Sequence, residues 1–242
     1  MKSLFNMRIS FLVSLLFVNH MVCAKDVIEI IGIPTQSDSR AVSEELTAAY
    51  SYKGLNPTEA MGITGFSVGA MGSYTGVENK QAFKDLTGEN VDFLGMVGAA
   101  ANKGLPLGFD VGAYYNIAPE TNIKSYGGNV RWSYLDGNAV LPAVGVRLAA
   151  TKLVGIDSFD LTTYSADVSI SKGFLFITPY IGAGQVRGIS DPHGYPTLQK
   201  ETVNHNKVFG GARITLGLLE LTAEADKTGD NLSYNLMLGL GF

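Results

Sequence analysis

Apolar and polar side chains alternate along most of the chain after residue 60. In the last segment every second residue from Leu232 to Phe242 is apolar, while the residues between them, from Asn231 to Gly241, are mostly small or polar. Successive side chains of a β-strand point to opposite faces, so this segment predicts a strand with one apolar face. The pattern of one strand does not tell whether that face meets lipid or a protein core. Repetition of the pattern favours lipid.

Nine further segments are interpreted as strands, and together with 231–242 they make ten. They cover 61–75, 90–101, 105–117, 122–135, 140–152, 159–172, 174–187, 206–217 and 219–227. Soluble strands most often have about five or six residues, whereas strands of about ten suit a tilted bilayer crossing. An even number lets an antiparallel sheet close without an exposed edge. The sequence therefore predicts an all-β fold, a closed antiparallel transmembrane barrel of about ten strands.

The first 24 residues have the features of a signal peptide. Lys2 and Arg8 precede an apolar run over 9–18, which is too short to span a bilayer as a helix. A small-x-small pattern then places the cleavage after Ala24. Cys23 raises lipidation as the alternative, but no small residue stands just before it. Cleavage after Ala24 removes the only cysteine, and thiolate chemistry is then excluded.

Composition agrees with a membrane protein and argues against nucleic acid as a partner. The chain is 46% hydrophobic and 17% charged, below the usual quarter for charged residues. The net charge is −4 for the whole sequence and −6 once Lys2 and Arg8 are removed, and no Lys/Arg cluster is present. No linker divides the region after residue 60. We therefore expect one barrel domain over 61–242, preceded by a separate segment over 25–60.

The C-terminal strand resembles that of Gram-negative outer-membrane β-barrel proteins. The residues that carry the resemblance are Tyr234, Leu236, Leu238, Leu240 and Phe242. In that class the barrel-assembly machinery recognises such a strand. The resemblance implies location in the outer membrane after export through the periplasm, with outer-membrane lipids and the assembly machinery as partners. The resemblance identifies neither an activity nor a ligand, and no cofactor and no metal are expected.

The segment over 25–60 lacks the alternation. A β-prone patch covers 27–31, and a helix is predicted over 39–53, with Asp38 as N-cap and Gly54 just past its end. Two positions for this helix stay open. It is either a periplasmic lead-in packed under the barrel or a plug inside the lumen.

Connection lengths predict the orientation of the barrel. If the first strand leaves the periplasm, the two longest connections, 76–89 and 188–205, both lie outside, whereas 136–139 and 172–173 are periplasmic turns. Outer-membrane barrels have short periplasmic turns and longer external loops. Trp132, together with tyrosines such as Tyr126, Tyr134 and Tyr234, is expected in interfacial girdles.

Ionisable residues on the inward parity form the candidate functional set. They are Asp110, Arg131, Arg147, Asp167, Arg213, Glu220, Glu224 and Asp226. Buried charges need partners, so a structural salt-bridge network is expected, with Arg147 and Arg213 among Asp167, Glu220 and Glu224. A narrow polar pathway is the alternative.

Three classes of function remain open. The first is a structural or weakly conducting barrel, the second a surface-binding barrel that uses loops 76–89 and 188–205, and the third a rim-sited enzyme. For the enzyme, Asp191, His193 and His205 resemble the acid–histidine pairs of outer-membrane proteases, but no second carboxylate pair faces them. Solvated histidines are therefore expected, and no catalytic residue is assigned.

Overall fold

The computed structural model describes residues 35–242, with the exception of 89, 120, 139, 157–158 and 194–196. The predicted signal peptide, 1–24, and the β-prone patch, 27–31, lie outside the described residues. Apart from these gaps, the described residues cover the predicted barrel and most of the segment before it.

Ten antiparallel strands form the wall. They are β1 (Phe66–Gly76), β2 (Phe93–Gly104), β3 (Phe109–Ile117), β4 (Lys124–Asp136), β5 (Ala143–Val154), β6 (Phe159–Ser171), β7 (Ile177–Pro192), β8 (Glu201–Leu216), β9 (Leu219–Thr228) and β10 (Asn231–Gly241). Each strand pairs with its neighbours in the sequence, and β1 pairs with β10 in a register that sets Tyr74 opposite Tyr234. The sheet therefore closes, and the predicted fold class is confirmed.

The two parities of β10 face different surroundings. Tyr234 is 56% exposed and Leu238 is 54% exposed on the outer face, whereas Ser233 is 0% and Asn235 is 2% exposed on the inner face. The other strands repeat this contrast, with large apolar residues outside and polar ones inside. An apolar outer face is stable against lipid, because the lipid keeps it out of contact with water.

Connections of different length gather at the two ends of the barrel. At one end, here called the long-loop end, lie 77–92, 118–123, 155–158, 193–200 and 229–230. At the other, the turn end, lie 105–108, 137–142, 172–176 and 217–218. The two longest connections therefore share an end, as the sequence predicts.

The predicted connection 188–205 is shorter in the structure, because β7 continues to Pro192 and β8 begins at Glu201. Ser190 lies opposite Glu201 in this extension. Its outer face carries polar residues such as Thr202 and Asn204, so the apolar–polar alternation that indicates a strand is missing there.

The predicted connection 76–89 contains a helix that the alternation did not indicate. This helix, α2, spans Lys80–Thr87 and ends at Gly88, whose φ of 75° lies in the left-handed region. Ala82, Phe83 and Leu86 are buried on one side of it. Spacings of three and four residues place these side chains on one face of the helix.

The N-terminal helix, α1, spans Gln36–Tyr50 and therefore begins and ends earlier than predicted. Thr35, not Asp38, is its N-cap. The Thr35 hydroxyl accepts the Asp38 backbone N–H at 3.2 Å, and the Asp38 carboxylate accepts the Thr35 N–H at 3.4 Å, a reciprocal capping box. In the described part of the chain, no helix has the length and apolar character needed to cross a membrane.

Helix α1 lies inside the barrel at the long-loop end, in contact with β6, β7, β8 and β10. Its apolar face joins α2 and the nearby connections in one buried cluster, here called the cap. From α1 the cap takes Val42, Leu46, Ala49 and Tyr50, and from the connection 77–92 it takes Val77, Ala82, Phe83, Leu86 and Val91. Of the two positions that the sequence left open for the helix, the structure has it in the lumen.

Candidate functional site

The lumen is filled by the chain's own residues 35–61, here called the plug. At the long-loop end, the Gln36 side chain bonds to the backbone carbonyl and N–H of Gln199 at 3.2 and 2.9 Å. At the turn end, the Met61 N–H donates to the Asp110 carboxylate at 3.0 Å. β1 begins only at Phe66, close to the C-terminal residue Phe242, with which it exchanges backbone hydrogen bonds. The plug therefore runs through the lumen from one end to the other.

Glu45 fastens the plug to the cap. Its carboxylate accepts the backbone N–H of Asn79 at 2.8 Å, the Asn79 side-chain amide at 2.7 Å and the Glu78 N–H at 3.2 Å. It also accepts the Asn231 side-chain amide. These donors come from the connection 77–92 and from β10, so a single buried carboxylate joins α1 to two parts of the barrel.

A buried ion pair holds the plug at mid-lumen. The Lys53 ammonium contacts both Asp226 carboxylate oxygens at 3.1 Å, and the two side chains are 1% and 0% exposed. The same ammonium also donates to Ser233 Oγ at 3.1 Å and to the Ala48 carbonyl at 3.0 Å. Asp226 also accepts the Asn235 amide at 2.8 Å. The charged atoms are thus fully paired within the protein.

Arg131 holds the plug near the turn end. It forms an ion pair with Asp110 at 2.6 Å and donates to the carbonyl oxygens of Pro57 and Glu59, the latter at 3.1 Å. Thr58, between these two residues, donates its hydroxyl to Ser169 at 2.8 Å. Backbone carbonyls of an extended segment have no partners of their own, and here the wall provides them.

Two arginines of the wall converge on Asn56. Arg147 donates to its backbone carbonyl at 3.3 Å, and Arg213 donates to its side-chain oxygen. Arg213 also forms an ion pair with Glu220 at 3.0 Å. Gly54 lies directly under Arg147, since a Cβ added at Gly54 would come within 1.4 Å of the guanidinium Nη1. The plug can approach Arg147 this closely only because Gly54 has no side chain.

All eight charged residues of the predicted set point into the lumen, but only some of them pair with each other. Asp110 pairs with Arg131, and Arg213 pairs with Glu220. Asp167 lies opposite Arg147 in the β5–β6 register, yet neither of its carboxylate oxygens has a hydrogen-bond partner among the described residues.

The remaining two carboxylates of the set have other partners. Glu224 accepts the Tyr180 hydroxyl at 2.8 Å, and Asp226 pairs with Lys53 of the plug. The set therefore serves mainly to bind the plug, rather than to balance its own charges.

Sequence reasoning missed the plug's own polar residues and Lys207. Glu45 and Lys53 fall within the predicted helix 39–53 without being assigned a role there, and in the structure they are 1% and 3% exposed. Lys207 is also 1% exposed and donates to the Tyr52 carbonyl at 3.0 Å. Its inward parity in β8 was a usable signal. For Glu45 and Lys53 the available signal was a predicted helix that carries both apolar and charged residues. A barrel with little room inside would bury the charged residues of such a helix.

The predicted rim histidines do not form a catalytic pair. His193 is exposed and contacts Asp160 at 2.9 Å, with Asp191 at 4.0 Å. His205 points inward and packs against Gly229. Within the described part of the chain, no group of three or more His, Cys, Asp or Glu residues is placed to hold a metal ion.

The aromatic residues of the predicted binding loops are not shown to be available to a partner in the described part of these loops. Phe83, the aromatic of loop 76–89, is 0% exposed in the cap. Tyr195, the aromatic of loop 188–205, lies outside the described residues. The predicted girdle residues, in contrast, are on the outer face: Trp132 is 39% exposed and stacks on Phe109.

Comparison with known proteins gives similarity of fold only. No family model and no curated protein matches the chain. Among solved structures, the N-terminal barrel domain of OprF from Pseudomonas aeruginosa is 12% identical, covers 75% of this chain and 99% of its own, and has a TM-score of 0.40. LpxR from Salmonella typhimurium is 12% identical, with 74% and 100% coverage and a TM-score of 0.40. Ail from Yersinia pestis is 16% identical, with 73% and 95% coverage and a TM-score of 0.36. These similarities concern the barrel and say nothing about what this chain does.

Proposed function

We propose that this Gram-negative outer-membrane β-barrel protein is a sealed structural barrel, whose own N-terminal segment closes the lumen to ions and solutes. The observation that carries the proposal is the continuous course of residues 35–61 from the long-loop end to the turn end. Export through the periplasm and an outward-facing long-loop end belong to the same proposal. The location in the outer membrane is the general property of such barrels.

Bonds from several sides of the wall meet the plug at one level, which supports a complete seal. Tyr50 accepts a hydrogen bond from Thr151 of β5 at 3.0 Å, and Tyr52 accepts one from Lys207 of β8 at 3.0 Å. Lys53 reaches Asp226 of β9 at 3.1 Å. The plug is therefore attached around the circumference, and a gap along one wall would require several of these bonds to open together.

The energy needed to open such a seal argues against a conducting pathway. Separating one partner of a buried ion pair from the other costs about 3–5 kcal/mol. That cost applies as long as the freed charge stays buried, so the Lys53–Asp226 pair resists any movement of the plug that does not also admit water. The charges that would have set the selectivity of a pore are used to hold the plug.

Planar-bilayer recording on the refolded protein tests the proposal. We expect no steady conductance steps, because the plug occupies the lumen from the long-loop end to the turn end. Reproducible ohmic steps from the folded protein would refute the sealed barrel and favour the narrow pore.

A disulfide lock separates a fixed plug from a moving one. Ser43 Oγ of the plug lies 2.7 Å from Ser190 Oγ of β7, so Ser43→Cys/Ser190→Cys places two thiols within bonding reach. A chain that begins at Lys25 has no other cysteine, since the sole cysteine is Cys23. We expect the oxidised and reduced forms to be equally silent in the bilayer. Conductance that appears only after reduction would show that the plug moves and would contradict a static seal.

A further inference from the structure

Three cations stand on the outer face of the wall close to the long-loop end. They are Lys124 at the start of β4, Lys152 near the end of β5 and Arg187 in β7, here called the basic strip. All three are exposed on the side that faces the surrounding membrane rather than the lumen. Among the described residues none of them has a hydrogen bond or ion pair, which distinguishes them from the charges of the plug.

The pairing registers bring the strip together with two tyrosines. Lys152 lies directly opposite Tyr126. Lys124 lies in β4 two positions before Tyr126, opposite Val154. Arg187 lies directly opposite Tyr164. Diagonal neighbours in an antiparallel pair are roughly 7–8 Å apart, within the reach of long side chains. Cations and tyrosine rings thus alternate along the strip.

The tyrosines mark the level of the membrane interface. Tyr126 and Tyr164 are 45% and 50% exposed, and aromatic rings at such positions form the girdle between hydrocarbon and headgroups. On the hydrocarbon side of them the wall is apolar, with Leu148 at 62% and Val168 at 56% exposed. A Lys or Arg at the girdle extends its charged end toward the headgroups.

Carboxylates next to the strip do not neutralise it. Asp160 and Asp191 lie opposite each other, four positions closer to the long loops than the Tyr164–Arg187 pair. Asp160 contacts His193 at 2.9 Å, and Asp191 forms an ion pair with Lys200 at 2.6 Å. Cations at the turn end differ as well, because Lys103 donates to the Ile63 carbonyl at 2.5 Å, and Lys172 to the Asn138 carbonyl at 2.6 Å.

We propose that the basic strip binds the phosphate groups of a phosphorylated lipid in the leaflet around the long-loop end, with its acyl chains lying on the apolar wall below. Ammonium and guanidinium groups donate charge-assisted hydrogen bonds to phosphate oxygens, and Arg187 provides a planar fork that suits two of them. The phosphate groups of such a lipid lie at the depth of the strip. The three cations of the strip have no partners there among the described residues, so they are available to the phosphates. This inference is independent of whether the lumen is sealed.

Binding of rough lipopolysaccharide to the refolded full-length mature protein tests the inference. Fluorescently labelled lipopolysaccharide, in its native and its dephosphorylated form, is titrated with protein in a zwitterionic detergent. We expect the dephosphorylated form to bind at least about tenfold more weakly. Each cation near an anionic surface contributes about a fivefold gain, so Lys124→Gln/Lys152→Gln/Arg187→Gln should weaken binding on the order of 100-fold.

Matched variants separate a site from general charge attraction. Lys227 is exposed on the outer face near the same end and also has a tyrosine, Tyr234, as a diagonal neighbour, but it lies opposite Val208 and Leu232, with no second cation at the facing or diagonal positions of the neighbouring strands. Lys227→Gln should therefore change the affinity less than about twofold, and Lys124→Arg/Lys152→Arg/Arg187→Lys should retain it. Unchanged gel mobility of the unheated protein confirms folding of each variant.

Several outcomes would overturn the inference. They are equal binding of native and dephosphorylated lipid, equal loss with Lys227→Gln and Lys152→Gln, or full affinity of the triple glutamine variant. Binding of inorganic phosphate or a sulfated polysaccharide as tight as that of the lipid would overturn the lipid as ligand. If the triple variant fails to fold, the wild-type protein decides: its affinity for the native form must fall as NaCl is raised from about 50 to 500 mM, and constant affinity would refute a phosphate contact.

Discussion

Replacement of Lys53 by methionine removes the cation that the structure places at mid-lumen. Methionine keeps most of the aliphatic stem but leaves the Asp226 carboxylate, which is 0% exposed as a side chain, without its ammonium partner. Asp226 keeps two neutral donors, the Asn235 amide at 2.8 Å and the Thr228 hydroxyl at 3.0 Å. Removing one member of a buried ion pair costs about 3–5 kcal/mol, since the other charge is left unpaired.

The expected loss converts into a temperature shift. For a chain of this size, 1 kcal/mol corresponds to roughly 2–4 °C, so the Lys53→Met barrel should unfold roughly 6–20 °C lower than the wild type. Closed barrels resist detergent until heated, and their compact form migrates faster on unheated gels. The midpoint of conversion from the fast to the slow band measures the shift directly.

Two control variants make the result specific. Lys53→Met/Asp226→Leu removes both charges, and because a buried pair can often be replaced by apolar residues at little cost, most of the stability should return. Lys80→Met removes a cation from an exposed pair, Lys80–Asp92, whose side chains are 56% and 70% exposed, and should cost at most about 1 kcal/mol. A Lys53→Met shift no larger than that of Lys80→Met would refute the reasoning, because it would mean that Asp226 is already hydrated.

Two further changes test the seat of the plug and the orientation of the barrel. Gly54→Ala should lower the gel conversion midpoint by the equivalent of about 1–3 kcal/mol, because its Cβ would displace the Arg147 guanidinium; a midpoint equal to that of the wild type would contradict the close contact. For orientation, single cysteines at Gln81 in α2 and at Leu141 in the turn 137–142 are treated on whole cells with a membrane-impermeant maleimide. Label on Gln81→Cys alone is expected, and label on Leu141→Cys alone would reverse the topology.

The sequence was sufficient to predict which segments form strands and which side chains of each strand face outward. In β10 the alternation assigns Tyr234 to the outer face and Asn235 to the lumen, and the structure has both so placed. The pattern is sufficient because a strand has a period of two, so facing is a local property of the chain. The same rule failed at the extension of β7 and β8, where Thr202 and Asn204 are polar on the outer face and the alternation carries no contrast.

The contacts inside the lumen, in contrast, could be determined only from the tertiary structure. Lys53 and Asp226 are 173 positions apart, and the distance between them depends on where a segment without any alternation enters a closed barrel. Arg147 shows the same limit. The alternation predicts that its side chain faces the lumen, and the structure sets it opposite Asp167, but its hydrogen bond goes to Asn56 of the plug. Periodicity by itself determined the wall of this protein, since facing follows from neighbours along the chain. Which charges meet inside the wall was left to the fold, because those contacts join residues that no local pattern relates.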